Sequence, residues 1–168
     1  MAQSLTAEIL TRIKWTFLNT LDLTTPAESM NKTVTRTFTD GTGSGKAQIA
    51  WSDQRTITTA SDETLDLKAV VSAFGTAAFT KIKALRIELE TATTGYTLKV
   101  KAGSSNGLSA FFSDPSDEIV LQAGGGITLE APVDGYTVDA THKTLLISNP
   151  SGGSVVYNIY VVGEGAIS

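Results

Sequence analysis

The dominant repeat along this chain is two residues, the spacing of strands with one buried and one solvated face. Leu85-Arg86-Ile87-Glu88-Leu89-Glu90 is the clearest run, with Leu85, Ile87 and Leu89 on one face and the charged residues on the other. Tyr96-Thr97-Leu98-Lys99-Val100-Lys101 repeats the pattern, and the short Thr93-Thr94-Gly95 turn between the two predicts an antiparallel hairpin. Such a hairpin sets an acidic outer face beside a basic one, worth about 0.2–1 kcal/mol per cross-strand pair. Further strands are predicted near Arg55–Thr59, Thr64–Leu67, Gly107–Phe112, Glu118–Gln122, Ile127–Ala131, Tyr136–Asp139, Lys143–Ser148 and Ser154–Gly163. Clusters of turn residues separate them: Ser113-Asp114-Pro115, Gly124-Gly125-Gly126, Pro132-Val133-Asp134-Gly135 and Asn149-Pro150-Ser151-Gly152-Gly153. The last of these reads as a five-residue hairpin loop. One short helix is predicted at Lys68–Phe74, stopped by Gly75. Many short strands at this spacing indicate an all-β antiparallel sandwich or barrel.

Two segments carry more apolar surface than one core face needs. In Arg12-Ile13-Lys14-Trp15-Thr16-Phe17 the strict alternation predicts a strand with Ile13, Trp15 and Phe17 on one side. Val34–Thr39 alternates more weakly. In the last strand, Val155, Tyr157, Ile159 and Val161 share one face while Val156, Tyr160 and Val162 occupy the other. A strand apolar on both faces needs cover on both. Either the chain's own N-terminal segment covers the second face, or that face meets another subunit. The candidate interface is therefore Val156, Tyr160 and Val162 together with Ile13, Trp15 and Phe17.

Composition narrows the function classes. The 168 residues are 41% hydrophobic but only 18% charged, against roughly 25% charged in soluble domains. Thr, Ser, Gly and Ala fill the gap, which argues against a helical bundle or coiled coil. Part of the surface is expected to be poor in charge because it is covered in an assembly. With 13 basic and 17 acidic residues the net charge is −4, which argues against a nucleic-acid partner. There is no cysteine, which removes disulfides, thiolate metal sites and a cysteine nucleophile. The N-terminal residues have neither the basic nor the apolar stretch of a signal peptide, and no segment approaches a membrane span.

The motifs that invite chemistry fail on spacing or context. Asp40-Gly41-Thr42-Gly43-Ser44-Gly45-Lys46 lacks the first glycine of a P-loop, and Ala47 stands where its Mg²⁺-binding hydroxyl belongs. Gly103-Ser104-Ser105-Asn106-Gly107 matches the G-x-S-x-G elbow, with Asp139 and His142 following in hydrolase order. That elbow requires a helix after the serine, where this chain reads as strand. His142 is the only histidine, so a multi-histidine metal site is excluded. Asp114, Asp117 and Glu118 lack the spacing of a Ca²⁺ loop and read as a solvated acidic turn. No catalytic residue, cofactor or metal ligand is expected, and the chain is not expected to be an enzyme.

The order of several segments is more specific than any one motif. Asp40-Gly41-Thr42-Gly43, Trp51-Ser52-Asp53-Gln54-Arg55-Thr56, Phe79-Thr80-Lys81-Ile82-Lys83-Ala84-Leu85 and Ala131-Pro132-Val133-Asp134-Gly135-Tyr136-Thr137-Val138 are followed by Leu145-Leu146-Ile147-Ser148-Asn149. The run ends in Val156-Tyr157-Asn158-Ile159-Tyr160-Val161-Val162-Gly163. From about Leu21 to Gly163 this resembles a family of small tailed-phage and prophage virion structural proteins, departing from a common Tyr-Asp-Ile ending by having Asn158. The resemblance implies a jelly-roll sandwich on the capsid exterior: a decoration (cement) protein that binds the major capsid protein, homo-oligomeric and plausibly trimeric. Residues 1–23 are then expected to form an arm or strand reaching a neighbour or the shell, and 24–168 a single domain. The rival readings are a tail or head–tail component and a carbohydrate-binding sandwich that would use Trp51 as a platform.

Overall fold

The computed structural model describes residues 4–112, 114 and 116–168. The chain is almost entirely strand: β1 (Ala7–Leu18), β2 (Ala27–Asp40), β3 (Lys46–Ala47), β4 (Ile49–Ile57), β5 (Ser61–Asp66), β6 (Val70–Ser72), β7 (Gly75–Leu89) and β8 (Thr97–Ala102). After a single 3-10 turn at Ser109–Phe111 come β9 (Glu118–Gln122), β10 (Gly126–Glu130), β11 (Tyr136–Thr137), β12 (Thr144–Asn149) and β13 (Val155–Ile167). Two sheets pack face to face. One runs β10-β7-β13-β4, with the short β6 and β11 also paired to β7, and the other runs β5-β12-β8-β9. Their facing sides supply the core, where Leu85, Ile87, Ile159 and Val161 meet Leu98, Val100, Leu145 and Ile147. The fold is an all-β sandwich, as the two-residue repeat requires.

The pairing of the long strands is nested. Setting aside the short β6 and β11, β4 pairs with β13, β5 with β12, β7 with β10 and β8 with β9. The first thus lies beside the last, the second beside the next to last, and so inward. Successive strands therefore cross between the sheets at most connections. Here two sequence-based expectations are corrected. The runs around Leu85–Leu89 and Leu98–Lys101 do not form a hairpin, because β7 and β8 sit in opposite sheets. Alternation places both apolar faces in the same core, and it reads identically for side-by-side and face-to-face neighbours. Their charges accordingly find other partners: Arg86 pairs with Glu88 on its own strand, and Lys99 with Glu118 on β9 at 2.7 Å. Similarly, Asn149–Gly153 is no hairpin loop but a crossover from β12 to β13. Asn149 holds it from within, its amide donating to the carbonyls of Ile57 (3.0 Å), Thr58 (3.0 Å) and Gly153 (2.9 Å) while its oxygen accepts from the Ser151 N–H (2.9 Å).

Two further elements differ from expectation. Lys68–Phe74 is not helical. Val70–Ser72 pairs with Gly75–Ala77 as a tight hairpin, with Gly75 at φ 124° and the Ser72 hydroxyl donating to the Gly75 carbonyl at 2.8 Å. The glycine that looked like a helix stop is a turn residue, and the adjacent Val70-Val71 favours strand. Gly107–Phe112 is not a strand either, but a bridge at Gly107 to Thr144 followed by the 3-10 turn. The turn expected at Ser113-Asp114-Pro115 falls partly outside the described residues.

A polar cluster joins the sheets across the core. Tyr157 on β13 is fully buried, and its hydroxyl donates to Glu63 on β5 at 2.9 Å. Glu63 also accepts from Arg55, which reaches Asp53 at 2.7 Å. The bond to Glu63 raises the Arg55 pKa, and burial, with Glu63 alongside, raises that of Tyr157.

β7 and β13 are the longest strands of the sandwich and are irregular where they meet, with register shifts after Val162 and after Glu164. Such shifts re-aim side chains. At this place the Lys83 ammonium donates to the Val133 carbonyl at 2.8 Å and lies 3.1 Å from Glu164, itself buried. Burial alone would raise the Glu164 pKa, but the Gly43 N–H (2.9 Å) and the Lys83 ammonium outweigh it and hold the carboxyl below its ordinary 4.5. A carboxylate favoured in the folded state stabilises fully above its unfolded pKa and loses that contribution as pH falls through the folded one. Glu164→Gln should therefore cost about 3–5 kcal/mol near neutral pH by leaving Lys83 buried and unpaired. In urea unfolding, the gap between wild type and variant should narrow once the pH drops below 4.5. A gap unchanged between pH 7 and pH 3 contradicts this account.

Candidate functional site: a projecting hairpin and the sheet face beneath it

β1 and β2 form a long antiparallel hairpin running from Ala7↔Phe38 to Leu18↔Ala27. With 12 residues in β1, it is about 40 Å long at ~3.3 Å per residue. The register sorts its side chains into two faces. One carries Ile9, Thr11, Ile13, Trp15 and Phe17, joined from β2 by Phe38, Arg36, Val34, Lys32, Met30 and Glu28. The other is mainly polar, with Arg12 bonded to Asn31 at 3.0 Å and a row of threonines. The apolar face turns toward the sandwich at its root. There Phe38 is buried, Thr11 donates to Glu130 at 3.3 Å, and Arg36 lies 3.5 Å from the same carboxylate.

Farther out nothing among the described residues covers that face. Ile13 is 59% exposed, Trp15 39% and Phe17 67%, and in the connection to β2 Leu23 is 99% exposed. A two-stranded hairpin with one layer is marginal in water, and apolar surface on this scale marks an association site. Trp15 stands on this open face, with no third layer over the outer hairpin among the described residues. Trp51 is buried, its indole N–H donating to the Val71 carbonyl at 3.0 Å, so it offers no platform to a sugar.

The outer face of the six-stranded sheet lies beside the hairpin root. Cross-strand rows there read Glu130–Ala84–Val162–Ala50, then Thr128–Arg86–Tyr160–Ser52, then Gly126–Glu88–Asn158–Gln54. Val156 and Val162 are half-buried and Tyr160 is 42% exposed. A groove of about 730 Å³ separates this face from β1, with Tyr160 and Val162 lining one side and Glu8 to Arg12 the other. The N-terminal segment therefore borders the second face of β13 without closing over it. Of the candidate interface residues, Tyr160 and Val162 line the groove. Ile13, Trp15 and Phe17 stand farther along the hairpin on the same face as Ile9.

The hairpin is rooted through Lys83 and Glu164, whose pairing the sequence does not announce, and through a glycine-rich turn. The Asp40–Lys46 segment is the turn from β2 to β3. Its Gly43 N–H is the donor to Glu164, and its Gly45 N–H donates to the Pro132 carbonyl at 2.9 Å. The available signals were Lys83 inside the apolar run Ile82–Leu85 and an acid flanked by glycines, Gly163-Glu164-Gly165. The glycines are marks of a bulge, and a lysine in an apolar run calls for a buried partner.

The other motifs form no reactive centre among the described residues. The Ser105 loop and His142 are neighbours, since Lys143 and Thr144 donate backbone bonds to Asn106. However, His142 bonds Asp139 and Thr141, and no bond joins it to the Ser105 hydroxyl. The Thr141 backbone N–H, then His142, pull the Asp139 pKa down to about 2. Asp114 accepts from both the Ser116 N–H and hydroxyl, a local turn.

No family model and no curated protein matches the chain. Among solved structures it is similar to a chain of the Bacillus endospore appendages, described as disulfide-linked pili (13% identity, 73% of this chain and 92% of that one, TM-score 0.30). Tobacco streak virus coat protein gives 12% identity over 68% and 90%, TM-score 0.33, and Desmodium yellow mottle tymovirus 11% over 71% and 90%, TM-score 0.29. Likenesses this distant carry no argument about what the chain does.

Because the outer hairpin packs on no other element among the described residues, truncating its apolar side chains should not unfold the sandwich. Trp15→Ala with Phe17→Ala should shift stability by under ~0.5 kcal/mol, whereas Ile87→Ala in the core should cost about 2–5 kcal/mol. Chemical denaturation of the variants checks this. A large loss from the hairpin pair would mean that its apolar face is already packed.

Proposed function

We propose that the chain is a structural component of a bacteriophage virion, a capsid decoration (cement) protein that binds the outside of the major capsid shell and stabilises it. The observation that carries this reading is the projecting hairpin, whose outer apolar face has no partner among the described residues. A part that works by being held between neighbours needs such surface, and its effect is multiplied by copy number through avidity. The sequence resemblance supplies the phage setting. The nested strand order supports the jelly-roll form of the sandwich, which wraps one long hairpin of eight strands into two sheets. The role is non-catalytic, with no cofactor, nucleic acid or membrane partner. The negative net charge suits an exterior position better than a lining against packaged DNA.

Quantitative mass spectrometry of purified particles tests the reading. A decoration protein is expected in hundreds of copies per capsid, and particles lacking it should lose integrity at lower temperature. Six or twelve copies would reassign it to the tail or the head–tail junction, and its absence from particles would end the proposal.

A further inference from the structure

The groove beside β1 is bordered by consecutive residues, Glu8 through Arg12. Neighbouring side chains on a strand point to opposite faces, so what borders the groove is the strand's edge rather than one of its faces. That edge is unpaired among the described residues, because β1 is the outer strand of the β1-β2-β3 sheet. A long unpaired edge without proline is a template for another strand. The geometry points to β1 of a second copy of this chain as that strand, added antiparallel about a two-fold axis.

The sequence of β1 is complementary to itself in one register. With Thr11 opposite Thr11, Glu8 falls opposite Lys14, Ile9 opposite Ile13 and Ala7 opposite Trp15, each pair occurring twice. Lys14 makes no ion pair among the described residues, and neither does Glu8. Moving the axis to Arg12 or to Ile13 sets like charges against each other, and moving it to Leu10 sets Glu8 against Arg12, already bonded to Asn31, and replaces the Ile9–Ile13 match by Ile9–Thr11. Residues directly opposite in an antiparallel pair share a face. The second copy therefore turns Ile13, Trp15 and Phe17 to the same side as the first copy's Ile9 and Thr11, toward the sheet bearing Tyr160 and Val162. Each copy's exposed hairpin face then covers the other copy's open sheet face. The assembly is two-fold, not the three-fold one the resemblance implies. This pairing goes beyond shell binding and stands or falls separately from it.

The cysteine-free chain makes the register directly testable. Paired Cα atoms across the axis lie about 4.5–5.5 Å apart, within the range a disulfide spans. Full-length Thr11→Cys should therefore form a covalent dimer on mild oxidation. Lys14→Cys should not, because its two copies lie six positions apart along the strands, about 20 Å. By light scattering, wild type should have twice the mass of the 17.6 kDa chain. Glu8→Lys and Lys14→Glu should each weaken the dimer at least tenfold, and the two changes together should restore it. A monomeric wild type, a trimer unreactive at Thr11→Cys, or no rescue by the double exchange overturns the pairing. A monomer that still decorates shells would assign the edge to a shell segment and leave the reading of function intact. A dimer absent from virions would do the reverse.

Discussion

A lysine and a glutamate buried against each other hold the projecting hairpin to the rest of the molecule. Lys83 comes from β7 and Glu164 from β13, at the irregular stretch where those strands step out of register. Glu164 also takes the Gly43 N–H, and Lys83 the Val133 carbonyl, so one contact gathers the turn after β2 and the loop after β10. A buried ion pair adds little net stability over an apolar replacement, yet losing one partner is costly. Its value here is positional. It sets where the hairpin leaves the sandwich, and therefore where its edge and apolar face point.

The division of labour follows from that anchor. The sandwich buries its apolar residues in one continuous core, and the polar cluster of Arg55, Glu63 and Tyr157 ties the two sheets together through their interior. The hairpin does the opposite: beyond Thr11 and Arg36 it spends its apolar residues on surface. In isolation that costs stability. It is sustained because β1 and β2 are fully paired with each other and rooted by Phe38 and Glu130.

Strand positions were legible in the sequence because a half-buried strand writes its period directly into side-chain polarity. Glu118–Gln122 has the expected bounds, and the final strand extends the expected one by four residues, to Ile167. Partnership was not legible. Leu85–Leu89 and Leu98–Val100 both point into one core, and the alternation is the same whether they lie side by side or face to face. Lys68–Phe74 misled because a glycine after an apolar run ends a helix or makes a turn with equal ease. Ile13, Trp15 and Phe17 were visible as one face of a strand. Their exposure was not, since it depends on β2 answering with Lys32, Met30 and Glu28 rather than a second layer. The buried Lys83–Glu164 contact links residues far apart in the chain, and no local pattern reports it.

The nested strand order has a consequence in time. β4 must wait for β13, about a hundred residues further along the chain, and Glu164 arrives on that same strand. Pairings this distant in sequence form slowly. The hairpin precedes β13 in the chain, but it acquires its fixed direction only when β13 has paired with β4 and β7 and brought Glu164 to Lys83. A half-folded chain thus carries an exposed apolar hairpin whose direction is not yet set. Docking of β13 is thereby the step that gives the hairpin its direction.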